Sequence, residues 1–317
     1  MADNITFSAQ GQINLSGDDR ALYLKRFAGR ILNRFDELHM ADRIQKIISV
    51  GGGLKELQFP ASWKATAQYY TQGTELLAGN QIAQGERTIK IDDFLLSYIW
   101  VTELDMMLTH MALREEYAHQ IAEAVAQVRD EHTLQMIALA ARASATITGA
   151  EGGSRITNAG FATSGQAIST GLFAAAQIFD EKRVPPNDRN VTLRPNAYYN
   201  MVQTPNLINR DFGNTGSLES GKLGTHHANI MINKSNNVPN TDKSGDSTTG
   251  HKNTYVGDFS KLIGVVNTKD ATGALIRSGM TTESQYYTTY QATILVAKIL
   301  MGQNILRPEC AITLETP

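Results

Sequence analysis

Glu116 and His119 stand three residues apart in a segment without Gly or Pro. On a helix that spacing sets a carboxylate and an imidazole on one face, as carboxylate-rich metal bundles require. Such bundles need a second Glu-x-x-His pair, and the chain has none. His226 and His227 are adjacent, so a strand would point them to opposite faces, and their loop-rich surroundings predict solvated rings. The single cysteine, Cys310, lies in Arg-Pro-Glu-Cys-Ala-Ile beside an apolar run and reads as a small core residue. With one thiol no intrachain disulfide can form, and a reducing compartment is the simpler setting. Gly51-Gly52-Gly53 fails as a phosphate cradle because no Gly-Lys-Ser/Thr follows. Neither a Gly-x-Ser-x-Gly elbow nor a Gly-x-Gly-x-x-Gly turn is present. The sequons at Asn4, Asn14, Asn190 and Asn233 carry little weight without a secretory route. No catalytic, cofactor-binding or metal residue is assigned.

Composition narrows the classes further. The 317 residues carry 29 Lys plus Arg against 31 Asp plus Glu, a formal charge of −2. A protein that coats nucleic acid needs a basic surplus. The hydrophobic share of 42% is that of a globular chain, with length enough for one large domain or two modest ones. The start, MADNITFSAQ, has neither a basic nor an apolar region, so no secretory signal is expected there. No window approaches the roughly 20 apolar residues of a spanning helix, so no membrane partner is expected.

The elements that would position any site follow from periodicity. Residues 1–17 are polar and small, an extended arm. Asp18 or Asp19 can cap a helix to about Phe35, with Leu24, Phe27, Ile31 and Phe35 at helical spacing. Arg20, Lys25, Arg26, Arg30 and Arg34 make it basic, which fits a nucleic-acid-facing or membrane-active helix, or the solvated face of a packed one. The three glycines favour a hinge or sharp turn. Residues 54–60 read as a strand closed by Pro60, and residues 87–92 as its partner. Between them lie Trp63, Tyr69, Tyr70, Leu76 and Leu77, which pack on their own domain or present apolar surface to another subunit.

Residues 103–143 hold no Gly or Pro in 41 positions and predict a short helix followed by one of about 30 residues, roughly 45 Å long. Asparagine then thickens, with 4 of 20 before residue 151 and 16 after, so the second half is richer in turns. Its expected elements are a helix over 166–182, a turn at 184–189, a strand at 191–193 and a helix opened by Pro195. A long loop over 239–258, short strands at 262–266 and 274–276, a buried strand over 294–301 and a last strand over 305–314, interrupted at Arg307-Pro308, complete the series. The class is α+β.

This order of elements resembles the major capsid protein of tailed phages, the HK-ninety-seven-type fold. Arg20-Ala21-Leu22-Tyr23-Leu24-Lys25-Arg26-Phe27-Ala28-Gly29, Leu57-Gln58-Phe59-Pro60, Thr88-Ile89-Lys90-Ile91-Asp92 and Leu113-Arg114-Glu115-Glu116-Tyr117 are similar to the coat protein of T-seven-type podophages. So is the ending Ile299-Leu300-Met301-Gly302 with Leu306-Arg307-Pro308-Glu309. The similarity covers about 20–143 and 285–317, and the middle in element order, while 213–258 find no match.

The resemblance implies an N-terminal arm over 1–45, an extended β-hairpin loop over 46–95, a peripheral domain with a spine helix over 96–150 and 284–302, and an axial domain over 151–283 and 303–317. Leu57, Phe59, Trp63, Tyr69, Tyr70, Leu76 and Leu77 would form the inter-subunit loop and Gly51, Gly52 and Gly53 its hinge. Leu24, Phe27, Ile31 and Phe35 would form the arm helix, with Arg26, Arg30 and Arg34 toward DNA. The implied function is a structural, non-enzymatic one: self-assembly into hexamers and pentamers of an icosahedral head enclosing double-stranded DNA, which it touches non-specifically. Implied partners are a scaffolding protein during assembly, a portal protein at one vertex and, where one exists, a decoration protein. The setting would be the virion, assembled in the cytoplasm of an infected bacterium. Two competing readings are an intracellular α/β enzyme using Asp105, Glu116 and His119, and an encapsulin-type compartment shell.

Overall fold

The computed structural model describes residues 39–51, 54–62, 64–65, 67, 69, 71–73, 82–104, 113–204 and 226–317. The chain divides into a smaller unit, Met1–His39, Asp93–Arg129 and Ser278–Met301, and a larger one, Met40–Asp92, Asp130–Arg277 and Gly302–Pro317. Its elements are α1 (Ala41–Ile44), β1 (Lys46–Ser49), β2 (Glu56–Ser62), β3 (Gln84–Lys90), β4 (Leu95–Thr102), α2 (Leu113–Arg142), β5 (Ser154–Thr157), α3 (Gly165–Glu181), β6 (Asn190–Leu193) and α4 (Pro195–Val202). There follow β7 (His226–His227), β8 (Ile230–Lys234), β9 (Leu262–Asn267), β10 (Thr272–Tyr287), β11 (Ala292–Ile305) and β12 (Ala311–Glu315). The mixture is α+β, as expected, and the 30 residues of α2 match the expected long helix.

The core of the larger unit is a mixed six-stranded sheet in the order β5-β12-β9-β6-β8-β7. Every residue of β6 and β12 is buried, so these short strands show no alternation of covered and open positions. α3 buries Ile168, Leu172, Ala175 and Phe179, spaced by four and three, in this core. Ser164 caps its start by accepting from Ala167 N–H, and Arg183, with φ of 60°, turns the chain out at its end. Buried Arg189 then fixes that turn. It donates to Val184 O at 2.6 Å and to Asp180 Oδ1 at 2.7 Å, and lies over the Phe179 ring. Pro195 opens α4 at its first turn, where a missing N–H costs nothing. Near the end of α2, Arg142 holds Glu315 of β12 at 2.8 Å, joining helix to sheet.

A second sheet has the order β1-β10-β11-β4. Within the larger unit β1 runs parallel to Gly273–Ile276 of β10; within the smaller, β11 pairs antiparallel with β4, Ala292 opposite Thr102 through Ile299 opposite Leu95. β2 and β3 form a hairpin sheet of their own, Glu56 opposite Lys90 through Ser62 opposite Gln84.

Several expected boundaries change. Pro60 does not close its strand; β2 continues to Ser62. In a two-stranded ladder alternate residues face away from the partner, so a missing N–H is tolerated there. The strand expected at 274–276 is 16 residues long. Its outer part is exposed on both faces, which erases the two-residue pattern. β11 runs on to Ile305, and the last strand begins only at Ala311, after a 3₁₀ turn over Pro308–Cys310. β4, unforeseen, carries apolar side chains on both faces.

Candidate assembly surfaces

The candidate surfaces are exposed apolar rows and the joints that hold them. On β4, Leu96, Tyr98 and Trp100 share one face, opposite Lys298, Val296 and Ile294 of β11. Leu96 is 48% exposed, Tyr98 59% and the preceding Phe94 53%. The other face, with Val101, Leu295, Ala297 and Ile299, is buried. At the β10–β11 turn, Trp100 packs tilted against Tyr287 and edge-on against Tyr290. The Tyr286 hydroxyl donates to Glu103 Oε2 at 2.6 Å. Met280, Tyr286, Tyr287 and Tyr290 are exposed. Sequence reasoning missed this region; its signal was the run of strand-forming residues Tyr98-Ile99-Trp100-Val101.

The hairpin carries a second row. Leu57 and Phe59 are half-buried on one face, opposite Ile89 and Arg87. Arg87 Nε donates to Thr146 Oγ1 at 2.9 Å. At the root of the hairpin, Asp92 Oδ1 accepts from the N–H groups of Lys252 and Asn253, and Oδ2 accepts the Tyr255 hydroxyl at 2.5 Å. The Tyr255 hydroxyl in turn accepts from Gln303 N–H. Burial, with the Asp92 charge beside it, pushes the Tyr255 phenol far above its usual range. Gly302 completes the joint. A Cβ there would meet the backbone oxygen of Lys90, so only glycine allows this approach.

His132 of α2 stacks on Tyr255 with ring centroids 4.4 Å apart, and His251 meets both edge-on. Burial first, then the neighbouring His251 and Lys243, lower the His132 pKa to about 4. Two residues earlier on α2, buried Asp130 accepts from Met40 N–H and Ala41 N–H through Oδ1 and from Asn237 Nδ2 through Oδ2. This carboxylate anchors the chain where α1 begins.

Of the loop residues expected from the sequence, Leu57 and Phe59 lie on the hairpin and Tyr69 is fully exposed. Trp63, Tyr70, Leu76 and Leu77 lie outside the described residues. Gly51 is described, while Gly52, Gly53, Leu24, Phe27, Ile31, Phe35, Arg26, Arg30 and Arg34 are not. Asp105 is also outside; Glu116 accepts from Gln120 and His119 is exposed. The solvated ring expected for His227 is corrected. Its Nε2 lies 2.8 Å from Ser169 Oγ and its ring meets Phe173 edge-on, a pairing across elements that local sequence cannot reveal. Cys310 is buried, as expected, and burial raises its thiol pKa to about 11. Among the described residues no cluster of three His, Cys, Asp or Glu could hold a metal, and no helix is long and apolar enough to cross a membrane.

The comparisons give these surfaces their context. The capsid protein of Cyanophage P-SCSP1u is 34% identical, with a TM-score of 0.84 over 99% of each chain. The bacteriophage PhiM1 mature capsid shares the fold at 16% identity, with a TM-score of 0.76 over 92% of this chain and 91% of that one. The major capsid protein of Escherichia phage T7 is 25% identical over 93% of this chain and 92% of its own. Residues 58–315 match the Gp10A-like major capsid protein family, and the chain belongs to that family: it is a phage major capsid protein with the HK-ninety-seven-type fold.

Proposed function

We propose that copies of this chain form the hexamers and pentamers of an icosahedral head around double-stranded DNA. The observation that carries this is the open row Phe94, Leu96 and Tyr98, an apolar surface that a monomer leaves wet and a neighbour would cover. In this reading residues 46–95 cross a neighbouring copy and present Leu57, Phe59, Trp63, Tyr69, Tyr70, Leu76 and Leu77 to it. Gly51–Gly53 would be the pivot. At Gly51 neither a positive φ nor crowding calls for glycine, which leaves chain freedom as the physical reason for it. Residues 1–45 would be the arm, with Leu24, Phe27, Ile31 and Phe35 its apolar stripe and Arg26, Arg30 and Arg34 toward DNA. Residues 96–150 with 284–302 would be the peripheral domain, and 151–283 with 303–317 the axial one.

Assembly would use a scaffolding protein and a portal in the cytoplasm of the infected bacterium, with a decoration protein where one exists. The role is structural, without catalysis. Many modest contacts would stabilise the lattice while each stays reversible enough to correct errors. The test is deletion of the 62–86 tip followed by electron microscopy. A soluble, folded subunit that no longer makes shells is expected; normal particles would sink the reading. A reconstruction of filled heads with Arg26, Arg30 and Arg34 away from the interior would remove their DNA role.

A further inference from the structure

A cavity of about 460 Å³ opens on the larger unit, beside β1, the turn at 185–188 and the 3₁₀ turns Lys269–Ala271 and Pro308–Cys310. That size suits a small organic ligand, for which pockets run from about 300 to 1,000 Å³. Its floor is buried: Gln45 is 2% exposed, Cys310 4% and Thr268 5%. The Gln45 amide is the anomaly there. Neither its nitrogen nor its oxygen has a hydrogen-bond partner in the chain. A donor and an acceptor buried together without partners are costly, and a ligand that presents an acceptor beside a donor relieves both.

The rim is charged, and both of its lysines are matched. Lys46 lies 3.8 Å from Asp270, and Lys269 3.5 Å from Asp188. Arg307 differs. It is exposed, and among the described residues its guanidinium makes no ion pair or hydrogen bond. It also lines a second cleft, of about 340 Å³, beside β2. A planar fork without a partner suits an oxyanion that accepts two parallel N–H bonds, and phosphate has that geometry.

A nucleotide joins these two chemistries. Its base carries a donor and an acceptor side by side on one edge, the pattern a Gln amide reads, and its phosphate is the oxyanion. Duplex DNA fits less well. It brings one negative charge per about 1.7 Å, and Asp188 and Asp270 stand on the rim to meet it. We propose that this cavity binds one nucleotide, with the base edge on Gln45 and the phosphate on Arg307. A free mononucleotide and an unpaired nucleotide of a DNA strand share that chemistry. The proposal is independent of the shell reading, because one chain supplies every lining residue.

The test is calorimetric titration of the unassembled full chain with dAMP, adenosine, deoxyribose 5-phosphate and the single strand (dA)6. dAMP is expected to bind and to raise the thermal midpoint. Adenosine lacks the phosphate and deoxyribose 5-phosphate lacks the base, so each should bind at least about tenfold more weakly. Gln45→Leu should weaken dAMP about tenfold and leave deoxyribose 5-phosphate unchanged. Its unliganded midpoint should stay level or rise, because an unsatisfied amide is removed; Gln45→Met replaces it if the leucine variant does not fold. Arg307→Gln should weaken dAMP about tenfold and leave adenosine unchanged. Tighter binding of (dA)6 in competition with dAMP assigns the site to a DNA strand; equal or weaker binding assigns it to the free nucleotide. No binding of dAMP at millimolar concentration overturns the proposal. So does binding that either substitution leaves unchanged, or that deoxyribose 5-phosphate or adenosine matches.

Discussion

The six-stranded sheet and the β4–β11 pair use their strands in opposite ways. β12 buries all five of its residues, and β6 all four. β4 buries only Val101 fully and leaves Leu96 and Tyr98 in water. β10 contains both regimes, buried over its first four residues and exposed over its last nine. The first arrangement is a core that the chain completes alone. The second has one finished face and one that is apolar without being covered. If neighbouring copies cover the open face in a shell, the contrast separates what must fold before assembly from what assembly itself completes.

The sharpest way to break the first region is through Phe179, which is fully buried beneath the Arg189 guanidinium. Phe179→Ala should cost about 3–5 kcal/mol, read as a lower urea midpoint of the unassembled subunit. A change under about 1 kcal/mol would mean that this core is not what holds the subunit together. Asp130→Ala should cost somewhat less, about 3 kcal/mol. It leaves the N–H groups of Met40 and Ala41 and the Asn237 amide without their acceptor. Native-state hydrogen exchange should show Met40 and Ala41 exposed first; unchanged protection there would contradict the anchor.

The two regions were not equally legible. α3 declared itself through Ile168, Leu172, Ala175 and Phe179, and α4 through Pro195, because helical spacing and capping are local. The order of the six strands was not readable: β12 lies between β5 and β9, and such pairings are long-range choices of packing. β10 was seen only where it is buried, since a strand exposed on both faces keeps no alternation. β4 was missed for the converse reason, with apolar residues on both faces. The family's short motifs pointed at the hairpin strand with Leu57 and Phe59, but the joint at its root, Asp92 with Asn253 and Tyr255, depends on residues some 160 positions away.

Acid should weaken the joint at the root of the hairpin, which lies within the larger unit. His132 has a folded-state pKa of about 4 against 6.5 unfolded, with His251, Lys243 and Tyr255 against it. Between those values the unfolded chain binds the proton that the folded one refuses. Its contribution is therefore complete above about pH 6.5 and is lost as pH falls toward 4, up to about 3 kcal/mol. His132→Phe keeps a ring against Tyr255 without the titration and should flatten the acid limb of stability against pH. An unchanged limb would assign it to other groups.

The smallest effect on the subunit should accompany a large effect on the shell. Leu96→Ser with Tyr98→Ser alters a face that water already reaches, so the urea midpoint of the unassembled subunit should move by less than about 1 kcal/mol. In a lattice the same change repeats at every copy. A loss too small to measure in one chain multiplies over the contacts of a capsomer, and particles should become rare or heat-labile in microscopy and light scattering. If the double substitution unfolds the subunit, the row belongs to the chain's own core. If shells form with unchanged heat stability, no neighbour covers it. Only a stable subunit with failing shells keeps the distinction between a core finished within one chain and a surface finished between chains.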